Sequence, residues 1–110
     1  MKRGDVFTAA VGSGFGGKPR PVVIVHGDLF IASANVIMVA PVVDEEHHVP
    51  LLRPFVQPTA TNGLVKGSVI ATDTLVAVRL HQFGRYVGAL SPSEMGQVEA
   101  ALLLTLGFVR

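Results

Sequence analysis

The sequence predicts a mainly β protein, either a small β-barrel or a twisted antiparallel sheet, with one α-helix near the C-terminal end. Short β-branched and apolar runs recur through residues 5–90, and glycines, prolines and an Asn-Gly pair separate them. A helix-start signature then precedes apolar residues at helical spacing. The chain has 110 residues, which suits a single domain, 1–110, with one core.

Seven extended segments precede the helix. Residues 35–43 (NVIMVAPVV) are apolar throughout, so we expect this strand in the middle of the sheet. Pro50 and Pro54 cannot donate to a strand ladder, so 49–57 is expected at an edge. The Asn-Gly pair at 62–63 indicates a turn. The predicted strands are 5–11, 21–26, 35–43, 49–57, 68–72, 75–80 and 85–90.

The helix has clear start and stop signals. Residues 91–94 (SPSE) form a capping box with proline at the first helical position. Gly107 is the expected stop. The apolar face predicted between them consists of Met95, Val98, Leu102 and Leu106.

Composition predicts an apolar interface and a cytoplasmic location. Hydrophobic residues make up 49% of the chain and charged residues only 15%, and the segment LLLTLGFV is apolar on both helix faces. We therefore expect a homodimer. The chain has no cysteine, which excludes thiol catalysis and fits a reducing compartment. No signal peptide is expected, and no apolar run approaches the roughly 20 residues of a membrane span.

The glycine-rich stretch GSGFGGKPRPVVIV, residues 12–25, matches parts of two nucleotide-binding motifs. Both motifs must open a helix whose N-terminal amides hold the phosphate. Here Pro19 and Pro21 follow Lys18, and the β-branched run PVVIV indicates a strand instead. We therefore expect a long hairpin loop and no nucleotide cofactor.

Several segments, in a fixed order, resemble the MazF/PemK family of toxins from bacterial toxin–antitoxin pairs. They are KRGDVF, GSGFGGKPRPVVIV, VIMVAPVV, LVKGSVIATDTLVAV and GALSPSEM…VEAALLLTLG, and they cover nearly the whole chain. The resemblance implies an SH3-like or CcdB-like β-barrel that forms a homodimer. It also implies sequence-specific cleavage of single-stranded RNA without a metal, and neutralisation by the acidic C-terminal segment of a cognate antitoxin.

The resemblance further implies which residues meet the RNA. In this family the glycine-rich loop lies over the RNA groove, and its arginine before the PVV strand is catalytic, a role that carries to Arg20. Lys18 is then expected to steer the RNA backbone, and Gly17 belongs to the same loop. Phe15 is a candidate for base stacking or for an interface contact.

This sequence departs from the family pattern at several positions. Gly14 stands where the loop usually carries an acid, and Val43 and Asp44 replace hydroxyl residues at the end of the central strand. The family's Asp-Gln pair appears as Asp73-Thr74. Arg20 and Asp73 thus match the pattern well.

Two alternatives remain open. The segment ATDTLVAV also resembles CcdB, a structural relative that poisons DNA gyrase and cuts no RNA, although the CcdB terminus Trp-Gly-Ile is replaced here by LGFVR. The other alternative is a catalytically degenerate module that only binds an antitoxin, which the departures at Gly14 and Val43 favour.

Metal-free RNA cleavage requires a base for the 2′-hydroxyl, an acid for the 5′-oxygen and a cation for the phosphorane. A guanidinium suits the cation role because its fork matches phosphate and stays charged. The run DEEHH, 44–48, is either a source of proton carriers or a solvated loop, and we expect no metal there. Asp44, Asp73, His47 and His48 all remain open as base or acid. The catalytic candidates are Arg20, Asp73 and Asp44, and the RNA-binding candidates are Lys18, Phe15, Gly17, Thr72, Thr74 and His47.

Overall fold

A computed structural model describes residues 1–11 and 18–109 of the chain. Over these residues it contains seven β-strands, two α-helices and two short 3-10 turns, at Glu45–His47 and Leu80–Gln82. The strands and helices, in chain order, are β1 Asp5–Ala9, β2 Arg20–Ile24, α1 Asp28–Ile31, β3 Val36–Asp44, β4 Phe55–Val56, β5 Ser68–Ile70, β6 Val76–Arg79, β7 Phe83–Ala89 and α2 Pro92–Thr105.

The strands form one antiparallel sheet in the order β4-β5-β3-β2-β1-β7, with β6 paired to β3. The described pairings do not close the sheet, so the open form is observed rather than the closed barrel. β3 is central, as its apolar sequence predicts, because it pairs with β2, β5 and β6. On one side of β3, residues up to Val39 pair with β6 and residues from Val42 onward pair with β5. Pro41 lies between these two sets, so its lack of an N–H removes no hydrogen bond from the pairing with β6 or with β5.

The core lies on both faces of the sheet. Successive side chains of a strand point to opposite faces, so β2 sends Val23 to one side and Val22 and Ile24 to the other. On the first side Val23 packs with Met95 and Val98 of α2. The amphipathic helix therefore covers one face of the sheet.

Helix α2 begins and ends as predicted. The backbone N–H of Glu94 donates to Ser91 Oγ at 3.1 Å, and the backbone N–H of Ser91 donates to Glu94 Oε1 at 2.7 Å. A cap of this kind stabilises a helix by about 1 kcal/mol. Gly107 follows the helix with φ of 81°. The predicted apolar face is wrong at its last position, because Leu106 lies beyond the helix and is 55% exposed.

Several predicted boundaries differ from the observed ones. Within the predicted strand 49–57 only Phe55–Val56 is extended, at the sheet edge as expected. Its first part is a tight loop in which the N–H of Arg53 donates to the carbonyl of Val49 at 2.8 Å. The helix α1 was not predicted; it is a single turn without a buried residue, so it carries no periodic apolar signal.

In the part of the chain that the structure describes, no helix has both the length and the apolar character needed to cross a lipid bilayer.

Candidate functional site

An open pocket of about 260 Å³ lies where the beginning of β2 and the end of β3 approach β1 and β7. Its volume is below the ~300–1,000 Å³ of pockets that enclose whole drug-sized ligands. Polar and charged side chains line its walls, namely Thr8, Arg20, Asp44, Lys66, Ser68 and Arg85.

Arg20 lies at the mouth of this pocket. It is the first residue of β2 and pairs with Ala9 of β1, while Val22 and the two residues after it are fully buried. The buried part of β2 thus fixes the backbone of an exposed arginine. A guanidinium at this position offers an anion a planar fork of N–H donors.

Asp44 and Lys66 form an ion pair on the pocket wall. Asp44 is the last residue of β3, and its Oδ1 lies 2.7 Å from Lys66 Nζ. The hydrogen bond and the charge of Lys66 lower the pKa of the Asp44 carboxyl, and the charges of His47 and Arg20 add to this effect. The same hydrogen bond and the charge of Asp44 raise the pKa of Lys66. Both side chains are more than half exposed, so solvent screens the pair.

A network around Asn62 holds the segment that carries Lys66. Asn62 is fully buried, and its Oδ1 accepts the N–H groups of Thr59 and Leu64, both at 3.0 Å. Its Nδ2 donates to the carbonyl of Gln57 at 2.9 Å and to Glu94 Oε2 at 3.1 Å. Every polar group of the amide is therefore satisfied. The Asn-Gly pair predicted a turn, but not that the turn would deliver a pocket lysine.

Glycine is required at the next position. Gly63 has φ of 69°, a left-handed conformation, and a Cβ there would overlap the carbonyl oxygen of Val87 on β7. The segment consequently lies directly against β7, which brings Lys66 to the same pocket as Arg20.

Arg85 of β7 is a second pocket arginine that sequence reasoning missed. It lies in an irregular stretch of the β1–β7 pairing, where the N–H of Arg85 donates to Thr8 Oγ1 at 2.9 Å. The position of its side chain depends on this pairing between distant parts of the chain. No local motif in the sequence marks it.

The structure brings together only some of the residues predicted from the sequence. Arg20 and Asp44 line one pocket. His47, in the turn after β3, lies close enough for its charge to act on Asp44. Lys18 is exposed two residues before Arg20. The predictions for Phe15 and Gly17 lie outside the described residues.

Three of the predicted residues lie elsewhere, just after Ile70, the last residue of β5. They are Thr72, Asp73 and Thr74. Asp73 Oδ1 accepts a hydrogen bond from Arg53 Nε at 2.8 Å. Thr72 is buried and its hydroxyl donates to the carbonyl of Leu52, whereas Thr74 donates to the carbonyl of Ala71 at 3.3 Å. The structure does not bring them to the Arg20 pocket, and the roles predicted for them stay predictions.

The chemistry of the pocket is that of a site for a polyanion. Arg20, Lys66 and Arg85 supply three cations against the single carboxylate of Asp44. Over residues 1–11 and 18–109, no three histidine or acidic side chains cluster closely enough to hold a metal ion. Cationic fork groups and a nearby ionised carboxylate are what phosphate binding and proton transfer require.

Comparison with known proteins defines the class. Residues 2–106 match the family described as PemK-like, MazF-like toxin of type II toxin–antitoxin system, and the chain belongs to that family. This match supports the toxin class inferred from the sequence over the gyrase-inhibitor alternative.

Particular relatives agree with this membership. The chain is 38% identical over 107 residues to the probable endoribonuclease MazF of Mycolicibacterium smegmatis, with 97% of each chain covered. Its fold is similar to that of a mycobacterial endoribonuclease solved in complex with its cognate antitoxin, with a TM-score of 0.81 and 20% identity over 100% of this chain and 98% of the other. The Mycobacterium tuberculosis toxin MazF-mt6 has a TM-score of 0.79 at 22% identity, covering 94% of this chain and 96% of its own.

Proposed function

We propose that this chain is a single-domain toxin that cleaves single-stranded RNA at specific sequences without a metal ion. The observation that carries the proposal is the presence of Arg20, Asp44 and Lys66 in one pocket of a MazF-like fold. The curated relative named as a probable endoribonuclease supports the same activity.

The proposed reaction is a transfer of the phosphodiester to the neighbouring 2′-oxygen. Asp44 takes the proton of the 2′-hydroxyl, and the 2′-oxygen then attacks phosphorus. The hydrogen bond and charge of Lys66 lower the pKa of Asp44 and so keep the carboxylate ionised, which is the form that a general base needs, while they also make it a weaker base. Arg20 and Lys66 stabilise the charge on the phosphorane, which is the role that a metal ion would otherwise fill.

The leaving group completes the proton balance. The bond from phosphorus to the 5′-oxygen breaks, and that oxygen takes a proton from His47, the imidazole within electrostatic reach of Asp44. The products are a 2′,3′-cyclic phosphate and a 5′-hydroxyl. Asp73 is not needed for this sequence of steps, and its proposed role is contact with RNA outside the pocket.

We propose a cytoplasmic homodimer whose cognate antitoxin places an acidic C-terminal segment over the cationic pocket. The complementary charge of Arg20, Lys66 and Arg85 supports the second part of this proposal. An apolar surface formed by Phe30, Met38, Leu102 and Leu106 supports dimerisation. This surface lies at the opposite end of β3 from Asp44, so a dimer formed through it leaves the pocket open.

Replacement of Arg20 tests the function. Arg20→Ala should abolish growth arrest in a bacterial host and reduce RNA cleavage in vitro by at least about 100-fold, the scale of losing one group that stabilises transition-state charge. Circular dichroism should show an unchanged fold, because the Arg20 side chain is exposed.

Arg79→Ala is the matched control. Arg79 is an exposed arginine that pairs with Val36, at the end of β3 away from the pocket, so its loss should change neither arrest nor cleavage. A folded Arg20→Ala variant as active as the parent contradicts the role of Arg20. Gyrase trapped on cleaved DNA, with intact RNA, favours the CcdB-like alternative, and antitoxin binding without either activity favours the degenerate module.

A further inference from the structure

We propose that Arg85, aimed by a β-bulge, binds the RNA phosphate that neighbours the scissile phosphate. The inference rests on the proposed function, because it assigns a second position on the same RNA. Arg20 then holds the reacting phosphate, and Arg85 holds the chain beside it. Arg85 is therefore a binding residue that fixes the RNA in register and does not take part in bond cleavage.

The β1–β7 pairing is irregular next to Arg85. Phe7 pairs with Tyr86 and Ala9 pairs with Phe83, so the two pairs are separated by one residue on β1 and by two residues, Gly84 and Arg85, on β7. One extra residue on one strand of an antiparallel pair is a β-bulge. Bulges bend the strand locally and redirect a side chain, and here the redirected side chain is that of Arg85.

Thr8 and Gly84 hold the bulge in place. The Arg85 N–H donates to Thr8 Oγ1 at 2.9 Å, which satisfies a backbone donor displaced from the regular ladder. A Cβ at Gly84 would overlap the same hydroxyl oxygen, so a larger residue there would displace the Thr8 side chain from this hydrogen bond. Thr8, Arg85 and Val87 all line the pocket, which shows that the bulge faces it.

Charge pairing distinguishes Arg85 from three of the other basic residues. Arg3 pairs with Glu99, Arg53 with Asp73, and Lys66 with Asp44. Neither Arg20 nor Arg85 has an ion-pair partner within the described ranges, although both line the pocket. The pocket thus presents two guanidiniums ready for anions.

The two guanidiniums of Arg20 and Arg85 suit a strand with successive phosphates better than they suit a single small anion. RNA carries one charge at each nucleotide, so a strand crossing the pocket brings successive phosphates past it. The lining of the pocket also includes the apolar side chains of Val87, Leu64 and Val65, which offer a base no hydrogen-bonding groups. The geometry therefore favours backbone contact by Arg85 over recognition of a base.

The test measures binding separately from cleavage. Single-stranded RNA that is fully 2′-O-methylated and of mixed sequence cannot be cut by the proposed reaction, so its affinity is measurable at a series of salt concentrations. Arg85→Ala should weaken binding roughly tenfold at low salt and lower the salt slope by about 0.7, the contribution of one phosphate on a single strand. Arg85→Lys should restore most of the slope.

Steady-state kinetics on natural RNA separate a binding role of Arg85 from a role in bond cleavage. On natural RNA, Arg85→Ala should raise KM with little change in kcat, and it should leave the sequence at the cut sites unchanged. Thr8→Val, which removes the acceptor for the bulge N–H, should shift KM in the same direction. Arg79→Ala should match the parent in every measurement.

Three results overturn the inference while leaving the proposed function intact. They are unchanged affinity and salt slope in a folded Arg85→Ala variant, a fall in kcat at constant KM, and altered sequence preference at the cut sites. If the parent protein neither binds nor cuts RNA, both the inference and the proposed function are wrong.

Discussion

At the residue scale, the pocket depends on charged side chains that modify one another. Asp44 is exposed and still has a lowered pKa, because Lys66 donates a hydrogen bond to it and Arg20 and His47 add positive charge. The sequence made Arg20 a candidate through family resemblance and Asp44 through its place after an apolar strand, and the structure places both in the lining of one pocket. It did not identify Lys66, because the ion pair joins residues from different segments and only the folded chain brings them together.

The pH dependence of cleavage tests this coupling. Asp44 must be ionised to accept a proton, so a lowered pKa extends activity toward acidic pH. Lys66→Met removes the main cause of the lowering, so the pKa of Asp44 should rise and the acidic limb of the kcat/KM profile should move to higher pH. The control Lys2→Met should leave the limb in place, since Lys2 lies outside the pocket. An unmoved limb in Lys66→Met contradicts the assignment of Asp44 as the base.

At the scale of elements, patterns within one segment were predictable and contacts between segments were not. The capping box of α2 and the central place of β3 follow from residues that are adjacent in sequence. The bulge at Gly84 does not, because it depends on Thr8 of a distant strand. The loop ahead of β4 escaped prediction for a similar reason, since Arg53 of that loop is held by Asp73.

The Asn62 network gives an element-scale prediction. Asn62→Ala leaves the buried N–H of Leu64 without its acceptor, which is worth about 1–3 kcal/mol, and it also removes the acceptor of the more exposed Thr59 N–H. We expect a loss of at least about 2 kcal/mol in the free energy of unfolding, measured by urea denaturation, and weaker cleavage because Lys66 is no longer fixed. Asn35→Ala, at an exposed asparagine, should stay within about 0.5 kcal/mol of the parent. Equal stability of the two variants is the contrary result.

At the scale of the whole molecule, two surfaces lie at opposite ends of β3. One is the cationic pocket at Asp44, and the other is the apolar surface of Phe30, Met38, Leu102 and Leu106. Leu103 and Phe108 extend the apolar side, and Phe108 is 75% exposed. An exposed patch of large apolar side chains is typical of a subunit interface, which supports the homodimer. The sequence predicted an apolar interface from composition, and the fold shows where the exposed apolar side chains gather.

Disrupting the apolar surface should separate the subunits. Leu106→Glu places a charge within it and should convert a dimer into a monomer at micromolar concentration, measured by light scattering. Val65→Glu is the control and should keep the molecular mass of the parent, because Val65 is 95% exposed but lines the pocket and not the apolar surface. A parent protein of monomer mass, or a Leu106→Glu variant that remains dimeric, places the dimer interface elsewhere or excludes it.

Analysis of the products made from a defined RNA, with chelator present, tests the central claim most directly. We expect a 2′,3′-cyclic phosphate on one fragment and a 5′-hydroxyl on the other, because in the proposed reaction the 2′-oxygen is the nucleophile and Asp44 and Arg20 act without a metal. A single 2′-deoxynucleotide at the cut site should block cleavage there and leave other sites unaffected. Cleavage that persists at the deoxy position, or that requires a divalent cation, contradicts this mechanism.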